Sequence, residues 1–312
     1  MPLFKIHHIT KYEYDLPVKE SGNQLKIFPF NDIYQEVVSH DLSITGDSTL
    51  NKFTDYWGNT SAFFTLIPPH EALILNSQLI VRTIAQQDSL IRSTPKDEWE
   101  TIQKEAKNQL LLLDYLKTDS IKAQNEIMEF VLSLKPHQRS PLEVLFSLSN
   151  HIFNHFEYVP GITTIETTID EIWTQKKGVC QDFAHILSYM LRKIGIPARY
   201  VSGYICPNRN GMRGIGATHA WVEAWMPGNQ WIGVDPTNDV FTNENYVKLA
   251  IGRDFRDCTP IKGTFKGPAI ETMNVYVSVG YEDGYVFQQD NEVELGKQMA
   301  ETNTNRHNSG QQ

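Results

Sequence analysis

Gly178-Val179-Cys180-Gln181-Asp182-Phe183-Ala184-His185 sets one of only three cysteines at the head of an amphipathic run, and its reading decides the fold. Phe183, Ala184, Leu187, Met190, Leu191 and Ile194 recur at helical spacing, and Gly195-Ile196-Pro197 ends the run. Cys180 therefore opens a helix whose apolar face is committed to a core. Unpaired N–H groups and the positive dipole end of a helix favour a thiolate. The Cys180 N–H is also available to a developing oxyanion. Taken alone, the segment suits an inert cysteine at the start of a core helix equally well.

A hairpin downstream shifts that balance. Thr218-His219-Ala220-Trp221-Val222-Glu223-Ala224-Trp225 alternates two classes of residue. Ala220, Val222 and Ala224 share one strand face; His219, Trp221, Glu223 and Trp225 share the other. After Met226-Pro227-Gly228-Asn229-Gln230 a second strand reads Trp231-Ile232-Gly233-Val234-Asp235. A three-residue loop at 226–228 sets Asp235 opposite His219; a loop at 227–229 sets it opposite Trp221. Either register leaves His219 and Asp235 on one face, with Cβ atoms about 5 Å apart if opposed and about 7–8 Å if diagonal. A carboxylate there holds an imidazole in one tautomer, so Cys180, His219 and Asp235 supply nucleophile, base and orienter.

The rest of the chain frames this site. Its 312 residues, 40% of them hydrophobic, suffice for more than one core. A formal charge of −9 and no Lys/Arg run argue against a nucleic-acid partner. No apolar run approaches the roughly 20 residues needed to span a bilayer. The first residues, Met1-Pro2-Leu3-Phe4-Lys5, lack the apolar core of a signal peptide. Cys180, Cys206 and Cys258 form no disulfide framework. A cytoplasmic protein with no membrane contact is expected.

Residues 1–90 read as a β-rich domain, a small antiparallel sandwich, with turns at Ser21-Gly22-Asn23, Thr45-Gly46-Asp47, Trp57-Gly58-Asn59 and Pro68-Pro69. Its His7, His8, His40 and His70 lack metal-ligand spacing and read as exposed or hydrogen-bonded. Residues 91–156 read as a helical bridge and the start of the core. Ile102, Ala106, Leu110, Leu113 and Leu116 form one stripe. Ile127, Phe130, Val131 and Leu134 form a second; Leu142, Leu145, Phe146, Ser149 and Ile152 form a third, entered by Ser140-Pro141. Residues 157–289 read as the catalytic core, including a late strand marked by Met273, Val275, Val277 and Val279. Residues 290–312 read as a flexible polar tail.

The three motifs resemble those of the bacterial transglutaminase-like proteins, a group often labelled cysteine proteases. The quoted Cys180 segment is one; Ala217-Thr218-His219-Ala220-Trp221-Val222-Glu223 is the second, and Trp231-Ile232-Gly233-Val234-Asp235-Pro236-Thr237 the third. His8-Ile9-Thr10-Lys11-Tyr12-Glu13-Tyr14, Gln24-Leu25-Lys26-Ile27-Phe28-Pro29 and Asp55-Tyr56-Trp57-Gly58-Asn59 are similar to that family's N-terminal domain. The resemblance spans roughly residues 3–285. It implies an α+β fold, with a papain-like, transglutaminase-like core behind the β-sandwich. It also implies calcium-independent acyl transfer through a thioester at Cys180, with no cofactor or metal.

An aromatic or polar side chain ahead of the nucleophile helps form the oxyanion hole in such proteins. Tyr158, Trp173 and Gln175 are the candidates here, and Trp221 is a further candidate for the substrate site. Asp182 reads as a helix N-terminal residue rather than a catalytic one. A protein or peptide substrate is expected. Three readings compete: a thiol hydrolase of amides, a crosslinking transamidase with the same triad, and a noncatalytic binding module on the same fold. A metal site is a poorer reading, because Cys180 and His185 are five apart on a helix rather than four.

Overall fold

A single strand of 23 residues, β1 (Leu3–Leu25), organises the N-terminal domain. The computed structural model describes residues 1–46, 48–85, 93–206, 212–213 and 218–282, and the backbone of 291–294. Phe4, Ile6, Tyr12 and Tyr14 alternate onto the buried side of β1, as a period of two requires. β2 (Gln35–Ile44), β3 (Asn51–Thr54), β4 (Thr60–Leu66) and β5 (His70–Thr83) follow. The first half of β1 pairs with β5, which pairs with β2. The second half pairs with β4, which pairs with β3.

The turn expected at Ser21-Gly22-Asn23 is not made. These residues continue β1 and pair with Leu66, Thr65 and Phe64. Gly22 lies under the Phe63 ring, which would stand 3.4 Å from a Cβ there. Strand partners satisfy this stretch of backbone, so the glycine marks a close approach rather than a reversal. The turn at Trp57-Gly58-Asn59 does form, with Gly58 at φ +89°. His7, His8, His40 and His70 all hydrogen-bond, to Asn76, Tyr204, Ser77 and Ser21 among others.

Helices then take over. α1 (Pro95–Asn108) is capped by Thr94, and α2 (Leu110–Asp114) follows after an extended Gln109. That break shifts the helical phase. Ile102 and Ala106 are buried as the stripe predicts, with Trp99 buried beside them, but Leu110 is 73% exposed and Leu112 takes the buried position. α3 (Gln124–Ser133) and α4 (Pro141–His155) follow, the latter entered through a Ser140–Glu143 capping box. Next come β6 (Glu157–Tyr158), α5 (Ile169–Gln175), β7 (Lys177–Gly178) and α6 (Cys180–Lys193).

β8 (Ala198–Ile205), β9 (Thr218–Met226), β10 (Gln230–Asp235), β11 (Val240–Phe241) and β12 (Tyr246–Gly252) form the second sheet, in the order β11-β10-β9-β8-β12. Its face bearing Ala220, Val222, Ala224, Ile232 and Val234 packs on α6 and the other helices in one core. The layering is that of a papain-like, transglutaminase-like α+β domain. No helix among the described residues is long and apolar enough to cross a membrane.

After α7 (Phe255–Cys258) the chain returns to the N-terminal domain. β13 (Ile261–Lys266) and β14 (Glu271–Tyr281) both pair with β1, and β15 (Asn291–Glu294) pairs with β14. The late strand expected in the 157–289 core is therefore β14, and it belongs to the N-terminal sheet. A long β1 offers two edges along its whole length, and β5 and β4 fill only one edge of its first and second halves. Asn291–Glu294, at the head of the expected polar tail, form a strand; residues 295–312 lie outside the described residues.

The two arms of this curled antiparallel domain share one interior. Tyr12, Leu73 and Leu75 from one arm meet Leu25, Phe64, Leu66 and Ile261 from the other. A second apolar cluster joins the domain to the second sheet: Phe4, Ile6, Leu79 and Val81 against Tyr204, Val247 and Leu249. Strand β12 lies at the edge of its sheet, where unpaired backbone groups are a liability. Two side-chain amides of the N-terminal domain cover it. Gln35 exchanges two hydrogen bonds of 2.7 Å with the Lys248 backbone. Asn59 does the same with Ile251, at 2.7 and 2.8 Å.

Candidate active site

The β9–β10 hairpin turns through Pro227-Gly228-Asn229, with Gly228 at φ +95° and Asn229 at φ +61°. Met226 pairs with Gln230 and Val222 with Val234, which selects the 227–229 loop. Continuing that register sets Asp235 level with Trp221 and diagonal to His219. His219 and Asp235 are then neighbours on the face away from α6. They are 2% and 0% exposed, and His219 Nε2 lies 2.8 Å from Asp235 Oδ2.

The carboxylate is held from every side. The Thr237 N–H donates to Oδ1 at 2.9 Å, an Asx turn closed by Pro236. Asn238 Nδ2 donates to Oδ2 at 2.7 Å and Tyr246 Oη at 2.8 Å. Burial by itself would raise the Asp235 carboxyl, but the His219 charge and these hydrogen bonds hold it below the ordinary carboxylate range. Burial would likewise depress His219, yet Asp235 first and Cys180 second raise its proton affinity well above an ordinary imidazole. Asp235 thus favours the protonated form of the His219 ring. Its rings stack with Trp221 at 6.5 Å.

Cys180 is the first residue of α6, where N–H groups lack intrahelical acceptors. Asp182 orders this turn: its Oδ2 accepts from the Val179 N–H at 2.8 Å and from Thr163 Oγ1 at 2.6 Å. Gly178 is required beside it, since a Cβ there would stand 2.7 Å from Asp182 Oδ2. Asp182 is thus the helix N-terminal residue the sequence suggests. Because Nε2 of His219 is taken by Asp235, Nδ1 is the ring nitrogen left for sulfur. Nδ1 is buried with no hydrogen-bond partner among the described residues, and Cys180 is near enough to act on the ring by charge.

Cys180 is half-buried, whereas Cys206 and Cys258 are fully buried and burial pushes both thiols well above their ordinary range. His185, the other residue of the poorer metal reading, accepts the Phe255 N–H at 3.1 Å and so ties α6 to α7.

Of the four auxiliary candidates, the structure brings Tyr158 to the site. It lies on β6, paired with Gly178, and its phenol is pushed up to about 12, by burial first and then by Cys180 and Asp235. It therefore stays a hydrogen-bond donor at neutral pH. Trp173 does not reach the site: its indole donates to Glu126 at 3.2 Å and its ring carries Lys176. Gln175 is exposed on α5. Trp221 is buried beneath the imidazole with Tyr246 against it. Sequence reasoning missed Asn238 and Tyr246. Asn238 stands three residues past Asp235, a spacing that suits a local cap. Nothing in the sequence signals that Tyr246 arrives from a distant strand.

Comparison with known proteins adds the following. The family model described as the transglutaminase-like superfamily matches residues 130–236, and that of the bacterial transglutaminase-like N-terminal region matches residues 4–82. The uncharacterized protein ML0607 of Mycobacterium leprae is 31% identical over 282 residues, 88% of this chain and 97% of that protein. A protein-glutamine gamma-glutamyltransferase of Pseudomonas aeruginosa is 36% identical over 97 residues, covering 28% of this chain and 14% of that protein. The crystal structure of a candidate cysteine protease from Cytophaga hutchinsonii shares the fold, with a TM-score of 0.71 and 22% identity over 93% of this chain and 95% of that one.

Proposed function

Because the chain belongs to the transglutaminase-like superfamily, we propose that it is a thiol-dependent amide hydrolase working through Cys180, His219 and Asp235. The observation that carries this reading is the buried His219–Asp235 pair at 2.8 Å with Cys180 acting on the same imidazole.

In this reading the Cys180 thiolate attacks the carbonyl carbon of a peptide or other amide. The carbonyl π electrons move to oxygen, and the oxyanion is met by the Cys180 N–H and the Tyr158 hydroxyl. The tetrahedral centre then collapses, the C–N bond breaks, and the imidazolium gives its Nδ1 proton to the departing amine. A thioester remains. Water attacks it, His219 takes the water proton and returns it to the departing sulfur, and a carboxylic acid is released. Asp235 stays ionised and orients the ring throughout.

A second reading replaces water with a primary amine, giving transamidation. The local similarity to a protein-glutamine gamma-glutamyltransferase favours it. Turnover of a peptide library with and without an added primary amine separates the two: more free acid than amine adduct is expected, and the reverse overturns the preference for hydrolysis.

The nucleophile is tested without a substrate. Iodoacetamide near neutral pH is expected to label Cys180 at least about tenfold faster than Cys206 or Cys258, read by peptide mass spectrometry. Faster labelling of either buried cysteine in the folded protein would favour the noncatalytic reading.

A further inference from the structure

We propose that Tyr246 is a positioning residue for Asp235, and that the N-terminal β domain holds it in place by clamping β12. This rests on the triad reading above and adds a role for the second domain.

The argument begins with Oδ2 of Asp235, which accepts from His219, Tyr246 and Asn238 together. Three donors on one oxygen fix its direction toward the imidazole, as outer-shell partners orient ligating or catalytic groups elsewhere. Two of them are anchored locally: His219 on the paired β9, and Asn238 on the turn after β10. Tyr246 is anchored differently. It is the first residue of edge strand β12, two strands away from β9 in the sheet. Its phenol, buried and facing a carboxylate, is held far above the ordinary range and remains a donor at any working pH.

β12 is held on one edge by its ladder to β8, in which Tyr246 pairs with Ile205, and on its free edge by the other domain. Gln35 and Asn59 pair with its backbone at Lys248 and Ile251, and the Phe30 N–H reaches the Lys248 carbonyl at 3.1 Å. Thr83 donates to the Glu244 carbonyl just ahead of the strand at 2.6 Å. Phe30 and Trp57 of the β domain pack with Trp221 and Tyr246 behind the site. A displaced β12 would therefore carry the Tyr246 hydroxyl away from Asp235. The ionisable groups that act on His219 are Cys180 from α6 and Asp235 from β10, with the Tyr246 ring from β12 beside it and Tyr158 from β6 acting on Cys180 and Asp235.

The test uses the full chain and needs no substrate. The His219 titration is followed by NMR, and Cys180 alkylation by iodoacetamide is measured against pH, for the wild type, Tyr246→Phe, Gln35→Ala and the double variant. Melting temperatures confirm that each is folded. Tyr246→Phe is expected to shift the His219 midpoint by about one pH unit and to change alkylation at mildly acidic pH about tenfold, because Asp235 loses a donor that fixes its direction and stabilises its charge. Gln35→Ala is expected to move both in the same direction, with little further change in the double variant. A wild-type titration and alkylation profile in Tyr246→Phe would overturn the positioning role. The same profile in Gln35→Ala, with its melting temperature lowered, would overturn the clamp. A wild-type protein whose Cys180 is no more reactive than Cys206 would instead overturn the triad reading.

Discussion

Replacing Cys180 with alanine is expected to abolish amide turnover, by roughly a millionfold, while leaving the protein folded. The magnitude follows from how a triad works. Nucleophile and base act as one unit, so removing either forfeits covalent catalysis and leaves only binding and oxyanion stabilisation. His219→Ala is expected to cost as much, and the double variant no more than either alone. Asp235→Asn, which keeps the shape but inverts a hydrogen bond to the ring, is expected to cost about ten-thousandfold. The fold is expected to survive because Cys180 is only half-buried, at the edge of the core, and alanine removes a single sulfur atom. Turnover of the most responsive library peptide, with circular dichroism as the control for folding, checks this. More than about one per cent residual activity in folded Cys180→Ala would remove the cysteine from the mechanism.

The second large effect concerns stability. Glu223 lies two strand positions beyond Trp221, on the catalytic face of β9, and is buried between two cations. Arg199 Nε donates to it at 2.6 Å and Lys248 Nζ at 2.8 Å. Burial would raise this carboxyl, but Arg199 and Lys248 hold it at about 2. Lys248 also pairs with Asp32 at 3.2 Å, so the network joins the two domains. Glu223→Gln leaves the Arg199 guanidinium buried against Trp231 with no carboxylate. Breaking a buried pair in this way costs about 3–5 kcal/mol. In a chain of this size that lowers the melting temperature by roughly 10 °C.

The pH dependence has a definite sign. The folded carboxyl titrates below its unfolded value, so its contribution is complete above the unfolded pKa. It fades as pH falls from about 5 towards 2 and amounts to about 3 kcal/mol. Thermal melts across that range are expected to show a shallower acid loss in Glu223→Gln than in the wild type. Equal melting temperatures at neutral pH would contradict the account.

Much of the site is legible in the chain because its parts are local. The Cys180 helix announces itself by a 3.6-residue apolar stripe, and the hairpin by strict alternation around Pro227-Gly228-Asn229. Parity alone puts His219 and Asp235 on one face, since a period of two admits no other arrangement once Val222 and Val234 are inside. The choice between the two hairpin registers needed the structure, and so did the choice of Tyr158 over Trp173, Gln175 and Trp221. Those four are told apart by where their backbones are carried, which no local pattern reveals.

Errors fell where local signals meet competing long-range ones. Gly22 reads as a turn, but pairing on β1 overrides it. Leu110 and Leu113 continue a stripe until the extended Gln109 changes its phase. β14 alternates like any strand of the core, yet β1 claims it across more than 250 residues of sequence.

Residue type and spacing by themselves determined the α+β class, the candidate side chains Cys180, His219 and Asp235, and the strand face that His219 and Asp235 share, because helix and strand periodicity act within a few residues. Only the tertiary structure decided which phenol faces Cys180, which tyrosine steadies Asp235, and that the β domain holds the strand carrying it. Those contacts join segments far apart in the chain, and packing and backbone hydrogen bonding across domains, rather than any local pattern, bring them together.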